Sequence, residues 1–315
     1  MVSFDRSKPE EALVLVAAAV GGLVVLRAFL CFLGALYSTF LRPAKNLKKY
    51  GEWAVVTGAT DGIGKAMSFE LAKKGLNVLL ISRTESKLVD VEKELAAKCP
   101  KVKVANLAID YSNFDKAAQE AVSKALSDKQ IGILVNNVGI SYPHPKFFNE
   151  LTDAEMEGLV TLNVTSTVAM TRLALPAMLE RRRGAIVNMA SAAAVAPTAL
   201  LSGYSGAKGF VLKLSESLNV ELAPKGVHVQ CQVPLLVATK LSKVRRASWD
   251  KPSPASYARA AVACIGYERT CSPYWSHALQ LWVMDTLPFF LVNEVTYGMH
   301  LGLRKRALAK ASKSS

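Results

Sequence analysis

Thr57-Gly58-Ala59-Thr60-Asp61-Gly62-Ile63-Gly64 is a glycine-rich turn between the apolar run at 53–56 and a helical segment that extends to about Lys74. Glycines in this position permit a tight turn and let a pyrophosphate approach the backbone at the N-terminus of a helix. The strand before and the helix after distinguish the motif from a chance glycine spacing. We therefore predict a dinucleotide site that uses Gly58, Thr60, Asp61, Gly62, Ile63 and Gly64.

The same alternation of strand and helix continues along the chain. Further apolar strands are predicted at 77–81, 102–108, 131–135, 185–189 and 227–233, with helices near 85–98, 113–127, 153–181 and 204–220. Strands of continuous apolar character, separated by helices, are typical of a parallel sheet that is covered on both faces. The predicted fold class is α/β, with a doubly wound, Rossmann-like parallel sheet.

The composition restricts the partners. The chain has 315 residues, 51% of them hydrophobic, and a formal net charge of +14, which favours anionic partners such as a membrane surface or a phosphorylated substrate. The basic residues are dispersed and match no nucleic-acid-binding motif, so nucleic acid is excluded as a partner. Five cysteines without a CxxC pair and four scattered histidines indicate a reducing compartment and no metal site.

An apolar segment precedes the alternating pattern. Residues 12–26 are uninterrupted apolar sequence, and the run resumes after Arg27 through residue 36, which is long enough to span a bilayer. We predict a membrane anchor, with a buried core helix and a cleaved signal peptide as the alternatives. Basic residues are denser after the segment than before it, which places the bulk of the chain in the cytosol: Arg42, Lys45, Lys48 and Lys49 against Arg6 and Lys8.

The end of the second strand indicates which dinucleotide is bound. An acidic residue at this position would accept a hydrogen bond from the ribose 2′-hydroxyl of NAD, but this chain has Ser82-Arg83. Arg83 can instead pair with the 2′-phosphate of NADP(H). The expected cofactor is therefore NADPH, and a solvated arginine at a strand end is the alternative interpretation.

The reactive chemistry is predicted at Tyr204-x-x-x-Lys208. On a helix the (i, i+4) spacing puts the two side chains on one face, where the ammonium would lower the pKa of the phenol. Ser191, thirteen residues earlier, ends an apolar strand and could donate a hydrogen bond to a substrate carbonyl. A surface helix pair is the alternative explanation of the spacing.

These motifs together resemble the short-chain dehydrogenase/reductases over residues 50–240: the turn at 57–64, Asn136-Asn137-Val138-Gly139, Asn163, Ser191 and Tyr204-x-x-x-Lys208. The resemblance implies that Tyr204 protonates the substrate oxygen while the nicotinamide delivers hydride. It implies that Ser191 binds and polarises the substrate carbonyl, and that Lys208 holds the nicotinamide ribose. Asn163 would bind a water that links Lys208 to solvent.

Further cofactor contacts are implied by the same resemblance. Asp110 would contact the adenine, Asn137 would line the adenosine side, and Val237 and Thr239 would close over the nicotinamide amide. For Asp110, a simple helix N-cap before Ser112 is the alternative.

The chain is most similar to one subgroup, the microsomal very-long-chain 3-oxoacyl-CoA reductases, which resemble 17β-hydroxysteroid dehydrogenase type 12. The segments that carry this similarity are Arg42-Pro43, Asn46-Leu47, Tyr50-Gly51, 137–143 and 237–240, and the chain looks like a plant member. The subgroup implies reduction of a 3-oxoacyl-CoA in fatty acid elongation. It also implies the endoplasmic reticulum membrane and other elongation enzymes as partners. Alternatives are a steroid or other lipid carbonyl dehydrogenase, and a non-catalytic cofactor-binding scaffold.

The predicted organisation has three parts: an anchor and basic linker at 1–49, a catalytic domain at 50–240 and a C-terminal extension at 241–315. We hypothesise that Lys243, Arg245 and Arg246 meet CoA phosphates or lipid headgroups, with a solvated face as the alternative. Residues 278–302 are apolar but interrupted by Asp285, Pro288 and Glu294. They are expected to form an interfacial or substrate-tunnel element rather than a second span.

Overall fold

A computed structural model of the protein describes residues 9–312, so Arg6 and Lys8 of the predicted N-terminal flank lie outside the described residues. The chain divides into two compact units, the first ending at Pro43 and the second beginning at Ala44. The first unit contains α1 (Pro9–Leu36), which continues as a π-helical segment over Tyr37–Leu41. Within it the 30 residues Ala12–Leu41 are strongly apolar and none is buried, which fits the predicted membrane anchor by length and composition.

The second unit is built on a sheet whose described strands are β1 (Trp53–Thr57), β2 (Asn77–Ser82), β3 (Val104–Ala108), β4 (Ile131–Asn136), β5 (Gly184–Met189), β6 (Val227–Gln232) and β7 (Thr270–Cys271). The strands are all parallel in the order β3-β2-β1-β4-β5-β6-β7, which confirms the doubly wound fold. The order reverses between β1 and β4. In open parallel sheets, ligands bind in the crevice that this reversal leaves at the carboxyl ends of the strands.

Helices cover both faces of the sheet: α2 (Gly62–Lys73), α3 (Glu85–Lys98), α4 (Lys116–Ser127), α5 (Asp153–Val160), α6 (Ser166–Glu180), α7 (Ser202–Leu222), α8 (Pro254–Ala263), α9 (Trp275–Thr286) and α10 (Phe289–Ala311). One apolar core joins α2, α3 and α8 to the sheet, and a second joins α4 and α6 to its opposite face. Alternate β1 residues supply the two cores: Val55 faces one and Val56 the other, both fully buried. Burying each such side chain contributes about 1.5–3 kcal/mol.

Several predicted boundaries were wrong. The strand predicted from 102 begins at Val104, and the helix predicted from 113 begins at Lys116, because Asp115 caps it. The helix predicted over 153–181 is interrupted by a π-helical turn at Thr161–Thr165. Strand β7, only two residues long, was not predicted. The predicted subdivision at 49/50 and 240/241 stays a prediction; helices α8 to α10 belong to the same compact unit as the sheet.

Candidate active site

Tyr204 and Lys208 lie one turn apart near the start of α7, where the helix packs against the carboxyl end of β5. The Lys208 Nζ is buried, donates a hydrogen bond to the Met189 carbonyl at 2.9 Å and lies 6.0 Å from the centre of the Tyr204 ring. The ladder of β5 ends at Met189, so its carbonyl is free to accept this bond. Met189 therefore fixes Lys208 beside the phenol, on the face that the (i, i+4) spacing predicts.

Ser191, which follows β5, is the third member of the group that Tyr204 and Lys208 form. It follows β5 by two residues and caps a short 3₁₀ turn over Ala192–Ala194, its hydroxyl oxygen accepting from the Ala193 N–H at 3.3 Å. Ser191 also lies near enough to the Tyr204 phenol to act on its pKa, which it lowers. The strand end and the helix start thus bring together two hydroxyl groups and one ammonium.

Asn163 sits in the π-helical turn Thr161–Thr165 and is fully buried. Its side-chain amide donates to the Ile140 carbonyl at 3.0 Å and the Leu159 carbonyl at 2.9 Å, which leaves Oδ1 buried with no hydrogen-bond partner among the described residues. A Cβ placed on Gly139 would stand 2.5 Å from this oxygen and 3.1 Å from the Lys208 Nζ. The unpaired oxygen and the ammonium therefore lie close to each other against Gly139, in a space that a residue with a side chain would take from them.

The pKa of Tyr204 is shifted in the direction opposite to the predicted one, and the pKa of Lys208 is shifted as well. Burial raises the pKa of Tyr204 above its ordinary value, against the lowering effect of the hydrogen bond from Ser191. Burial also lowers the pKa of Lys208 to about 8. The predicted net lowering of the phenol pKa is thus wrong for this structure, because burial of the phenol itself disfavours its charged form. Nearby on β6, burial raises the pKa of the Cys231 thiol to about 12.

The glycine-rich turn lies beside this group, between β1 and α2. Gly58 and Gly62 have φ values of +65° and +54°, the left-handed region that favours glycine. A Cβ on Gly64 would stand 2.4 Å from both the Gly58 carbonyl oxygen and the Asn137 Nδ2. Asp61 caps α2, its carboxylate accepting from the Gly62 N–H at 2.7 Å. The turn therefore has the backbone geometry expected of a pyrophosphate cradle.

Asn137 connects the turn to β4. Its Nδ2 donates to the Thr57 carbonyl at 3.1 Å, and its main-chain N–H donates to the Thr57 hydroxyl at 3.0 Å. These bonds fix Asn137 against the glycine turn at the point where the strand order reverses. The predicted adenosine contact by Asn137 requires this position, although the structure gives Asn137 a structural role as well.

The segment after β6 closes over the turn. A Cβ on Gly62 would contact the Thr239 methyl at 3.3 Å, and the next residue, Lys240, pairs with Asp61 at 2.7 Å. Val237 is buried, and its carbonyl accepts a hydrogen bond from Ser242. Burial would raise the pKa of Asp61, but Lys240 and the Gly62 N–H hold it below its ordinary value. The structure thus brings Val237 and Thr239 to the glycine turn.

Arg83 is exposed at the end of β2, and its guanidinium makes no hydrogen bond or ion pair with the described residues. The neighbouring Ser82 hydroxyl is 2.9 Å from the Thr60 hydroxyl, which joins the turn to β2.

Asp110 caps the turn at Tyr111–Asn113: its carboxylate accepts from the Ser112 hydroxyl at 2.7 Å and the Ser112 N–H at 2.9 Å. These bonds, with the nearby Arg83 charge, lower the Asp110 pKa. Asp110 therefore caps this turn, and its contact with the adenine stays a prediction.

Sequence reasoning missed three contributors to the site: the space at Gly139, the Asp61–Lys240 pair and the support from Tyr142, whose hydroxyl accepts from the Gly203 N–H at 2.8 Å just before Tyr204. The sequence indicates Gly139 only as the last residue of the motif Asn136-Asn137-Val138-Gly139. None of the three has a sequence spacing that predicts its partner, because each depends on a contact between distant segments.

A cleft of about 450 Å³ opens beside the group. It lies between residues 197–205 and the first half of α10, and it is lined by Pro197, Ala199, Ser205, Asn293 and Tyr297 among others. Ser202 and Ser205, on either side of Tyr204 in the first turn of α7, line the cleft. Of the basic residues predicted to meet CoA or lipid, Lys243 donates to the Pro143 carbonyl, while Arg245 and Arg246 are exposed.

The fold and the site define a class of protein. The short chain dehydrogenase family profile matches residues 52–249, and the chain belongs to this family. Among its relatives are a very-long-chain 3-oxoacyl-CoA reductase-like protein of Arabidopsis thaliana, 40% identical over 89% of this chain and 95% of that protein, and a very-long-chain 3-oxoacyl-CoA reductase of Bos taurus, 42% identical over 82% and 83%. A short-chain dehydrogenase from Sphingobium yanoikuyae, solved in complex with NADPH, is 29% identical with a TM-score of 0.65, covering 74% of this chain and 92% of that one.

Proposed function

We propose that the protein is an NADPH-dependent reductase that converts a very-long-chain 3-oxoacyl-CoA to the 3-hydroxyacyl-CoA. The observation that carries the chemistry is the cluster of Tyr204, Lys208, Ser191 and Asn163 beside the glycine turn. The substrate class is supported by the relatives of 40% and 42% identity that bear this activity in their names.

The cofactor assignment is supported by the donor set. The α2 N-terminus and the left-handed Gly58 and Gly62 suit a pyrophosphate, and the exposed Arg83 suits a 2′-phosphate. Asn137, Val237 and Thr239 would line the rest of the site, with Asp110 toward the adenine. Bound NADPH supplies the hydride that is added to the substrate carbonyl carbon.

The protein's own residues supply the proton. Ser191 donates a hydrogen bond to the substrate carbonyl oxygen, where negative charge develops during hydride addition. Tyr204 transfers its phenolic proton to that oxygen, giving the hydroxyl group; its raised pKa keeps it protonated at neutral pH and so ready to donate. Lys208, with a pKa of about 8, returns a proton to the phenolate through the space that borders the Asn163 Oδ1.

The location follows from the apolar helix and the charge of its flank. We place the protein in the endoplasmic reticulum membrane with the catalytic domain facing the cytosol, because Lys45, Lys48 and Lys49 follow the apolar segment. Other fatty acid elongation enzymes are the expected protein partners.

The experiment that tests the substrate class compares two compounds. Purified full-length protein is given NADPH and either a long-chain 3-oxoacyl-CoA or a ketosteroid, and NADPH oxidation is followed. A membrane anchor suits either apolar substrate, so a steroid or other lipid carbonyl dehydrogenase is the second candidate. Faster turnover of the acyl-CoA supports the proposal; exclusive turnover of the steroid contradicts it.

A non-catalytic scaffold is the candidate from a different class. A scaffold has no chemical need for an unpaired buried amide oxygen beside a buried ammonium and a phenol. Elongation-deficient cells that receive the Tyr204→Phe variant distinguish the two. Rescue equal to that by the wild type would establish the scaffold.

A further inference from the structure

Exposed apolar side chains are confined to particular parts of the second unit. From residue 42 to residue 146, all of which the structure describes, no large apolar side chain is exposed. In contrast, α9 and α10 expose a group that we call the C-terminal apolar face: Leu279, Trp282, Val283, Leu287, Phe289, Phe290, Leu291, Val295 and Met299. A continuous patch of this kind marks a surface that another apolar phase or partner covers.

Helix α10 carries its apolar residues on the outside. Val292 and His300 are buried against the protein, with the partly buried Thr296 between them, and the His300 ring lies 2.8 Å from the Ala199 carbonyl. The neighbouring stripe at the same spacing, Leu291, Val295 and Met299, faces outward. A helix in contact with water has the opposite arrangement, with polar side chains outward.

The connection between α9 and α10 is the most exposed part of this face. It runs through Leu287 and Pro288 into Phe289 and Phe290, whose side chains are 64% and 65% exposed, and Trp282 on α9 is also 64% exposed. Aromatic side chains at this density are typical of segments that enter the interfacial region of a bilayer.

The linker from the apolar helix meets the sheet at its β7 edge. Lys45, in this linker, donates a hydrogen bond to the Gly266 carbonyl, just before β7, and α9 begins at Trp275, just after β7. The C-terminal apolar face therefore follows, along the chain, the strand that the linker contacts.

Basic residues follow the face along α10. The second half of α10 carries the exposed Lys305, Arg306 and Lys310, whereas Arg304 is paired with Glu150. Cations at the border of an apolar surface attract the anionic headgroups of a membrane, with about 1 kcal/mol for each residue close to the surface.

We propose that the C-terminal apolar face rests in one leaflet of the bilayer, with the α9–α10 connection inserted, and that the cleft between residues 197–205 and α10 opens there. Residues 289–299 form both the outer apolar stripe and the α10 wall of the cleft. An acyl tail dissolved in lipid then reaches the start of α7, the helix that carries Tyr204, without crossing water. The identity of this tail rests on the proposed function; the contact with the bilayer does not.

The first test measures depth without turnover. Full-length protein is reconstituted in phosphatidylcholine vesicles with brominated acyl chains, which quench tryptophans that enter the hydrocarbon region. The fraction of emission that is quenched should fall about twofold in Trp282→Phe. It should not fall in the matched control Trp53→Phe, because Trp53 begins the central strand β1. Equal quenching in both variants overturns the proposal.

The second test measures delivery of the substrate. Phe289→Glu/Phe290→Glu should lower kcat/KM about tenfold for a long-chain 3-oxoacyl-CoA presented in vesicles, and leave a short, water-soluble 3-oxoacyl-CoA unaffected. Phe289→Leu/Phe290→Leu keeps the face apolar and should change neither value. If the glutamate variant instead dissociates a detergent-solubilised oligomer while Trp282 quenching is absent, the face binds protein and the proposal is wrong. If no 3-oxoacyl-CoA of any length is reduced, the proposed function fails, while the quenching result still decides the contact with lipid.

Discussion

Gly139 and Asn163 approach so closely that the gap between them leaves no room for a side chain: a Cβ on Gly139 would stand 2.5 Å from the Asn163 Oδ1. Among the described residues this buried oxygen has no hydrogen-bond partner, and its amide group is fixed by two main-chain carbonyls. The same Cβ would stand 3.1 Å from the Lys208 Nζ, so a side chain at 139 would disturb both polar groups. The proposed proton path can therefore be tested at a glycine that itself has no reactive group.

Gly139→Ala should lower kcat about 100-fold, because the new methyl group occupies the gap and displaces the Asn163 amide. Steady-state kinetics with saturating NADPH measures this change. Gly209→Ala on α7 is the matched control: a Cβ there has no neighbour within 4 Å, so it should retain activity and stabilise the helix by about 0.5–1 kcal/mol. Equal activity of both variants would show that the gap has no role.

Tyr204→Phe should lower kcat by about 10²–10⁴-fold while NADPH binding, followed by fluorescence titration, stays within about twofold of the wild type. In the proposed mechanism the phenol is the proton donor, and its removal leaves the glycine turn intact. Tyr257→Phe is the control. That hydroxyl is also buried but has no hydrogen-bond partner among the described residues, so its loss should not change the rate.

Arg83→Ser should lower kcat/KM for NADPH about 10- to 100-fold, because a charged hydrogen bond contributes about 1.5–3 kcal/mol. The kcat/KM for NADH should not fall, since NADH has no 2′-phosphate to pair with Arg83. Lys93→Ser, on the exposed face of α3, removes the same charge away from the strand end. A parallel loss with both cofactors would contradict the role of Arg83 in selecting NADPH.

The pH dependence should follow Lys208. Its pKa is lowered to about 8 by burial, so the ammonium is present below that pH and is lost as the pH rises through it. Proton return to Tyr204 then slows, and kcat for reduction should fall above about pH 8. The phenol contributes no change in this range, because its pKa is raised above its ordinary value. A constant kcat from pH 7 to 9.5, measured with saturating substrates, would disprove the assignment.

The fold was predictable because its signals are local and repeated. Buried strands such as β1 and β4 are continuous apolar runs, and the glycine turn at 57–64 must lie between a strand and a helix to have its function. The order of Ser191, Tyr204 and Lys208 along the chain also predicted side chains that the structure brings together. These features depend on neighbouring residues and on the period of the elements.

What could not be predicted depends on distant contacts. The π-helical turn that orients Asn163 has no sequence signal, and β7 is too short to show a pattern. The pKa of Tyr204 was predicted in the wrong direction because helical spacing says nothing about burial. In the folded protein, desolvation acts on both Tyr204 and Lys208 and outweighs the attraction between them.

Cys231, on β6, lies close to Lys208 of α7. Burial raises the pKa of its thiol to about 12, so the thiol is protonated at neutral pH. Electrophiles and peroxides react with thiolates, so this sulfur should be chemically inert although it is near the reaction centre. Alkylating reagents that inactivate many enzymes through an accessible cysteine should therefore leave this one untouched.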